Sequence, residues 1–255
     1  MVKIASPVSH LLENKDYAKK IIAYSDCLEC RDFSINSTES IQEIFHSEIQ
    51  PIHEWTKQNI DYLKYIKGIK RDLKLITFHI ASCCDKPYLQ GRMFELGGKE
   101  YTEKELLENA RKNFLVIKDV FGVGVRIAIE NNNYYPTGAY KYVTEPEFIS
   151  QLVYENDINF LLDIAHARIT SHNKRISYER YKKKLPMDKT IQLHVSLHEI
   201  DKNNLAYDAH NYPTESEIAE VKDLLCKYEI QYLTVEYYED IDYLINLLER
   251  LKQLI

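Results

Sequence analysis

The stretch Ile158-Asn159-Phe160-Leu161-Leu162-Asp163-Ile164-Ala165-His166 decides how this chain is read. Its opening residues are a nearly continuous apolar run, as in a strand covered on both faces. An acid and an imidazole then stand where the strand gives way to the next element. The same pattern recurs outward from it, with strands predicted over residues 2–5, 27–31, 73–80, 124–130, 158–164, 190–197 and 231–237. Helices lie between them. Thr102-Glu103-Lys104-Glu105 has the form of a capping box whose helix runs toward Gly122. Thr144 to Glu147 repeats the form with Pro146 in a first turn, and Thr214 to Glu217 opens a helix over 215–228. A last amphipathic helix falls near 240–254.

Strand–helix alternation predicts parallel strands joined by right-handed crossovers. The fold class expected is α/β, a TIM-type (β/α)8 barrel with one strand irregular or missing in the N-terminal half, since only seven runs are visible. Residues 33–60 contain Phe33-Ser34-Ile35-Asn36 and a predicted helix from Ile41 to Trp55, and either hide the eighth strand or leave the barrel incomplete. A doubly wound open sheet competes, but no glycine-rich phosphate loop follows any strand. Gly122-Val123-Gly124 precedes one and lacks the third glycine. No Gly-, Ser- or Pro-rich linker divides the chain, so residues 1–255 read as a single metal-binding domain.

Composition narrows the function. With 255 residues and 45% hydrophobic content, the chain suits one large core. No window approaches the roughly 20 apolar residues of a spanning helix. A formal charge of -6 removes the broad basic field of general nucleic-acid binders, so neither membrane nor nucleic acid is an expected partner. Five cysteines, an odd number, do not suggest a disulfide scaffold. The start Met1 to Pro7 has no apolar signal core, so the Asn36-Ser37-Thr38 glycosylation match reads as accidental and a cytoplasmic, reducing location is expected.

Polar residues of metal-binding type gather at the strand ends: His79, Glu130, Asp163, His166, His194, His198, then Asp208 and His210 in a loop, and Glu236. In a parallel barrel these ends meet at one mouth. Residues two or four apart on a strand face one way, so His194 and His198 share a direction if their strand continues, as do Asp208 and His210. Buried carboxylates must be protonated, paired or met by a cation, and mixed His/Asp/Glu shells suit iron, manganese or zinc. Nine candidates exceed the donors of one ion, which implies two or three ions sharing bridging carboxylates. Glu130, Asp163, His194 and Glu236 form the expected catalytic centre.

Any one of these has an ordinary reading: a satisfied polar histidine, or an acid capping a helix. The ordinary reading does not explain why five of the nine histidines follow the pattern beside acids on successive strands. His198 is the weakest member, because a loop starting at Glu199 would aim it at solvent. His10, His46, His53 and His172 read as surface or structural, and Lys182-Lys183-Lys184 as a solvated face. Cys27 and Cys30 lie three apart in a predicted strand and face opposite sides, which disfavours redox use. Cys83-Cys84 reads as packing, as do Tyr134, Tyr135, Tyr140 and Tyr142.

This order of residues resembles the xylose-isomerase-like metal-dependent TIM barrels, which include endonuclease IV. Three segments are closer to the multinuclear non-heme iron-dependent oxidases: Glu145-Pro146-Glu147-Phe148-Ile149 leading to Phe160–His166, the His194–His198 segment, and Asp208-Ala209-His210-Asn211-Tyr212-Pro213-Thr214 before a helix. Glu236 with Asp240 is similar to the acidic end of their last strand. The likeness spans roughly residues 73–250. It implies two or three irons, oxygen-dependent modification of a cysteine-containing peptide or related small substrate, and a partner protein that presents the peptide. Carried over by position, it makes His79, Glu130, Asp163, His166, His194, Asp208, His210 and Glu236 ligands. Two departures stand out: only His79 is a strand-end histidine in the first half, and Leu197 replaces the family's glycine before His198. Competing readings are a phosphodiester hydrolase like endonuclease IV, a sugar isomerase or epimerase, and a barrel that binds metal without catalysis.

Overall fold

The eighth strand lies at Gln42–Ser47, inside the segment read as a helix. In the computed structural model, which describes residues 1–254, eight parallel strands close into a barrel. They are β1 (Lys3–Pro7), β2 (Cys27–Arg31), β3 (Gln42–Ser47), β4 (Leu75–Phe78), β5 (Arg126–Glu130), β6 (Asn159–Asp163), β7 (Thr190–Val195) and β8 (Tyr232–Val235), each paired with its neighbours in sequence. The pairing of β8 with β1, Lys3 opposite Tyr232, closes the ring. Helices α1 (Lys15–Tyr24), α2 (Lys57–Ile69), α3 (Glu103–Phe121), α4 (Pro146–Glu155), α5 (Ile164–Lys174), α6 (Tyr178–Lys182), α7 (Glu215–Lys227) and α8 (Ile241–Lys252) make the crossovers. Only the β2–β3 link lacks one, with a single 3₁₀ turn at Asp32–Ser34 in its place. Among the described residues, no helix is long and apolar enough to cross a membrane.

Alternation along the strands builds the bore in layers. Cys27, Ile44, Leu75, Ala128 and Tyr232 belong to a small apolar cluster, separate from the main core, that plugs it near the strands' N-terminal ends. One step along, Glu29, Thr77, Gln192 and Thr234 are wholly buried polar residues. One step further come Arg31, His46, Glu130, Asp163 and His194, at the C-terminal rim. A polar upper bore over an apolar floor is what period-two alternation gives when successive inward positions change from apolar to ionisable.

Two expected features fall elsewhere. β7 stops at Val195; residues Leu197–Ile200 leave the barrel and pair antiparallel with Ala206–Asn211, so His194 and His198 do not share a strand. The capping boxes of Thr102 and Thr214 form, but Thr144 instead donates to the Tyr140 carbonyl, and Glu145 is the residue before α4.

The helix after Asp163 is pinned from outside. Arg168 on α5 donates to Glu220 on α7 at 2.6 Å and lies 3.3 Å from Glu217. Lys182, drawn in from its expected solvated run, donates to Glu220 at 2.6 Å, and Tyr178 donates to it as well. Burial pushes the Glu220 carboxyl up, but donors from Lys182, Tyr178 and Arg168 outweigh it and hold it below the usual range. Its stabilisation is therefore complete above the unfolded value, about 4.3, and is lost as pH falls through the folded one. Glu220→Gln should cost about 3 kcal/mol at pH 7, as when one partner of a mostly buried pair is removed, and less below about pH 4; urea unfolding at both pH values checks this.

Candidate metal centre

Glu130 ends β5 with 1% of its surface exposed, and imidazoles converge on it from four other strands or their ends. The His79 Nδ1 lies 3.0 Å from Glu130 Oε2, and the His46 Nε2 is 3.4 Å from the same oxygen. The His194 Nδ1 is 3.2 Å from Glu130 Oε1, 3.3 Å from Glu236 Oε1 and 3.8 Å from Asp163 Oδ2. Around the rim, the His166 Nε2 is 3.4 Å from Asp208 Oδ2, which lies 3.1 Å from His210 Nε2. His210 in turn is 3.6 Å from Glu236.

Each of the three most buried rings spends one nitrogen on an anchor and aims the other at a carboxylate. His46 Nδ1 meets the Thr77 hydroxyl, its neighbour in the β3–β4 register. His194 Nε2–H donates to Glu29 at 2.9 Å, and His166 Nδ1–H donates to the Asn131 carbonyl at 3.0 Å. Those partners fix tautomer and ring angle as they do for metal-bound histidines. Asp163 is divided in the same way. Its Oδ1 caps α5 by accepting from His166 N at 2.6 Å, while Oδ2 has no partner. Asn131 holds that strand end in place, its side chain bonding both the N–H and the carbonyl of Asp163 at 2.9 Å.

Three buried atoms in this cluster have no hydrogen-bond partner: Glu130 Oε2, Asp163 Oδ2 and His194 Nδ1. Buried polar atoms left without a partner normally carry a heavy penalty. Two donors each about 2.1 Å from one ion stand about 3.0–3.4 Å apart, from octahedral to tetrahedral geometry, close to the separations found here. The donor set fits metal. Three overlapping groups have ligand atoms mutually within 4.8 Å: His46, His79 and Glu130; Glu130, Asp163 and His166; and Glu29, His194 and Glu236. Glu130 is common to two of them.

The charges in this cluster act strongly on one another. Burial pushes Glu130 up, yet His46, His166 and His79 together hold it well below the usual carboxylate range. Burial raises Asp163 to about 6 despite His166, with Glu130 and Asp208 adding to the rise. Burial, with His79 beside it, lowers His46 to about 3, whereas Glu29 and Glu130 overcome burial at His194 and raise it to about 9. Above the cluster opens a cavity of about 260 Å³ lined by Arg31, His46, His79, Glu130, His166 and His210, among others.

Eight of the nine sequence candidates thus stand in one connected cluster. His198 does not: carried away on the hairpin that leaves the barrel after Val195, it sits near Arg168 and Glu217 with its Nδ1 unpartnered. Asp208 and His210, expected in a loop, lie on the opposite hairpin strand, where His210 takes a left-handed backbone (φ 49°) that strands rarely contain. His46, read as surface or structural, is 2% exposed and inside the cluster. Glu29 and Arg31 were also missed. Their signal was present: two charged residues on one face of the short strand Cys27–Arg31 have no reason to be there unless the bore is polar.

The chain resembles known proteins in sequence and in fold. The chain is 27% identical over 154 residues to a UPF0276 protein of Neisseria meningitidis serogroup C, covering 59% of this chain and 52% of that one. It is 26% identical over 158 residues to a UPF0276 protein of Acaryochloris marina, covering 62% and 55%. The chain therefore spans about half the length of these curated relatives. Among solved structures, a D-tagatose 3-epimerase-like protein superposes with TM-score 0.61 at 16% identity over 99% of this chain and 98% of its own. D-psicose 3-epimerase from Clostridium cellulolyticum H10 gives 0.60 at 13% over 99% and 97%. Both share the barrel. Residues 45–254 match the family described as RiPP precursor modification enzyme MbnB/TglH/ChrH, and the chain belongs to that family.

Proposed function

We propose that this chain is a multinuclear iron-dependent oxidase that modifies a cysteine-containing precursor peptide, with His46, His79, Glu130, Asp163, His166, His194, Asp208, His210 and Glu236 holding two or three ions. The observation that supports it most is the division of labour in the imidazoles: one nitrogen is anchored and the other faces a carboxylate, while Glu130 Oε2 and Asp163 Oδ2 lack any donor. Ferrous iron, when bound, supplies one-electron chemistry with dioxygen and a Lewis acid for a thiolate.

The chain's own residues do the rest. Glu130 turns one oxygen to His46 and His79 and the other to His194, so a single carboxylate serves two groups. Thr77, Glu29 and Asn131 hold the rings, so little reorganisation accompanies binding. The cavity of about 260 Å³ is large enough for a side chain such as cysteine and a few waters. A partner protein that presents the peptide, and a cytoplasmic setting, belong to this reading. Phosphodiester hydrolysis is less well supported, since the one guanidinium lining the cavity, Arg31, is already paired with Glu29 and Glu236. The epimerase likeness speaks to the fold alone.

Purification without oxygen, metal analysis and a cysteine peptide test the proposal together. Two or more irons per chain, oxygen uptake and a mass change on the peptide are expected. Zinc alone with cleavage of a phosphodiester, or one manganese with sugar turnover, would replace it.

A further inference from the structure

We infer that Arg31 is a built-in cation that closes the Glu29–His194–Glu236 group to metal, its guanidinium standing where an ion would otherwise bind between the two carboxylates. This rests on the metal reading of the centre and says which part of it is permanently filled.

The acids of the three groups differ in how much acceptor capacity they leave open, and the unpartnered Nδ1 of His194 lies 3.2 Å from Glu130, on the open side. Glu29 has none. Its Oε1 accepts from Arg31 Nε at 3.2 Å and Nη2 at 2.9 Å. Its Oε2 accepts from Gln192 at 2.7 Å, His194 at 2.9 Å and Thr234 at 3.0 Å. A carboxylate offers about four lone-pair sites, and these donors use them all. Glu130 Oε2 and Asp163 Oδ2, in the other two groups, have no donor. Arg31 also donates to Glu236, so one guanidinium links both acids of the closed group.

Arginine suits this role for a reason that lysine or histidine lacks: it does not lose its proton in proteins, so it cannot yield its place by becoming neutral. An incoming ion would have to expel a charged group into a site where Glu29 and Glu236 are 0% and 2% exposed. Charge count points the same way. Glu29, Glu130, Asp163, Asp208 and Glu236 bring five negative charges, Arg31 offsets one, and two divalent ions balance the remainder. The strand position explains the placement. Glu29 and Arg31 are two apart on β2, and Arg31 pairs in register with His46, so the guanidinium enters the bore beside the imidazoles.

The test is metal content, independent of turnover. Full-length protein, Arg31→Met and Glu29→Gln/Arg31→Met are purified without oxygen, loaded with manganese(II), desalted, and the ions per chain counted. Arg31→Met is expected to carry one more ion than wild type, and the double variant to return to the wild-type number. An unchanged or lower count in a folded Arg31→Met overturns the inference. Anomalous scattering from a manganese-loaded wild-type crystal decides between the outcomes should Arg31→Met not fold. Density between Glu29 and Glu236 refutes the inference, and density confined to the Glu130 side supports it. Wild-type protein that binds no ion at all removes the metal reading itself, and this inference with it.

Discussion

Glu130→Gln should lose at least one ion per chain while keeping the barrel. The substitution changes little in size, so neither a cavity nor a clash accompanies it, and circular dichroism should be unchanged. The change removes the charge that His46, His79 and His194 surround at 3.4, 3.0 and 3.2 Å. Outer partners of metal ligands typically contribute 10–100-fold in affinity; a carboxylate shared by two groups should exceed that, so a fall of at least about 100-fold is expected. The proposed precursor modification should fall at least as far. The same change at Glu48, which lies 4.0 Å from His79 on the exposed rim, should leave the metal content as it is. A folded Glu130→Gln with its full complement of ions would remove Glu130 from the centre.

Why Glu130 was legible in the sequence and His46 was not comes down to the strands that carry them. β5 reads Arg126-Ile-Ala-Ile-Glu130, where the apolar residues declare the strand and the acid marks its end. β3 reads Gln42-Glu-Ile-Phe-His-Ser47, with only Ile44 and Phe45 apolar, because its inward positions beyond Ile44 enter the polar bore. A barrel strand that contributes to a polar site loses the continuous apolar signal by which strands are recognised. The hidden strand and the overlooked histidine are therefore one error. Glu29 and Arg31 have the same origin: the Cys-x-x-Cys spacing drew the eye, while the alternation that sends Cys27, Glu29 and Arg31 inward carried the information. His198 failed in the opposite direction. The apolar run through Leu197 hides the point where the chain leaves the barrel, and only the antiparallel pairing of Leu197 with Asn211 reveals it.

Chelation should be the most destabilising treatment the folded chain meets short of denaturant. Glu130, Asp163, Asp208 and Glu236 crowd one rim with two of their oxygens unpaired, an arrangement that cations relieve. An ion present at about 1,000 times its Kd adds about 4 kcal/mol of stability by mass action. For a chain of this size each kcal/mol moves Tm by about 2–4 °C, so stripping even one ion should lower Tm by about 8–16 °C. Thermal unfolding before and after treatment with EDTA, followed by add-back, checks this. Ferrous iron or manganese should restore the loss, whereas magnesium should not, because an imidazole-rich shell suits a borderline transition metal better than a hard cation that keeps its water. The gap between loaded and stripped protein should also narrow from pH 7 to pH 5, since protons and ions compete for the same imidazole nitrogens and carboxylate oxygens. A Tm indifferent to EDTA, in protein shown to have carried ions beforehand, would mean that the unpaired oxygens of Glu130 and Asp163 are tolerated for another reason, and the centre would have to be sought elsewhere.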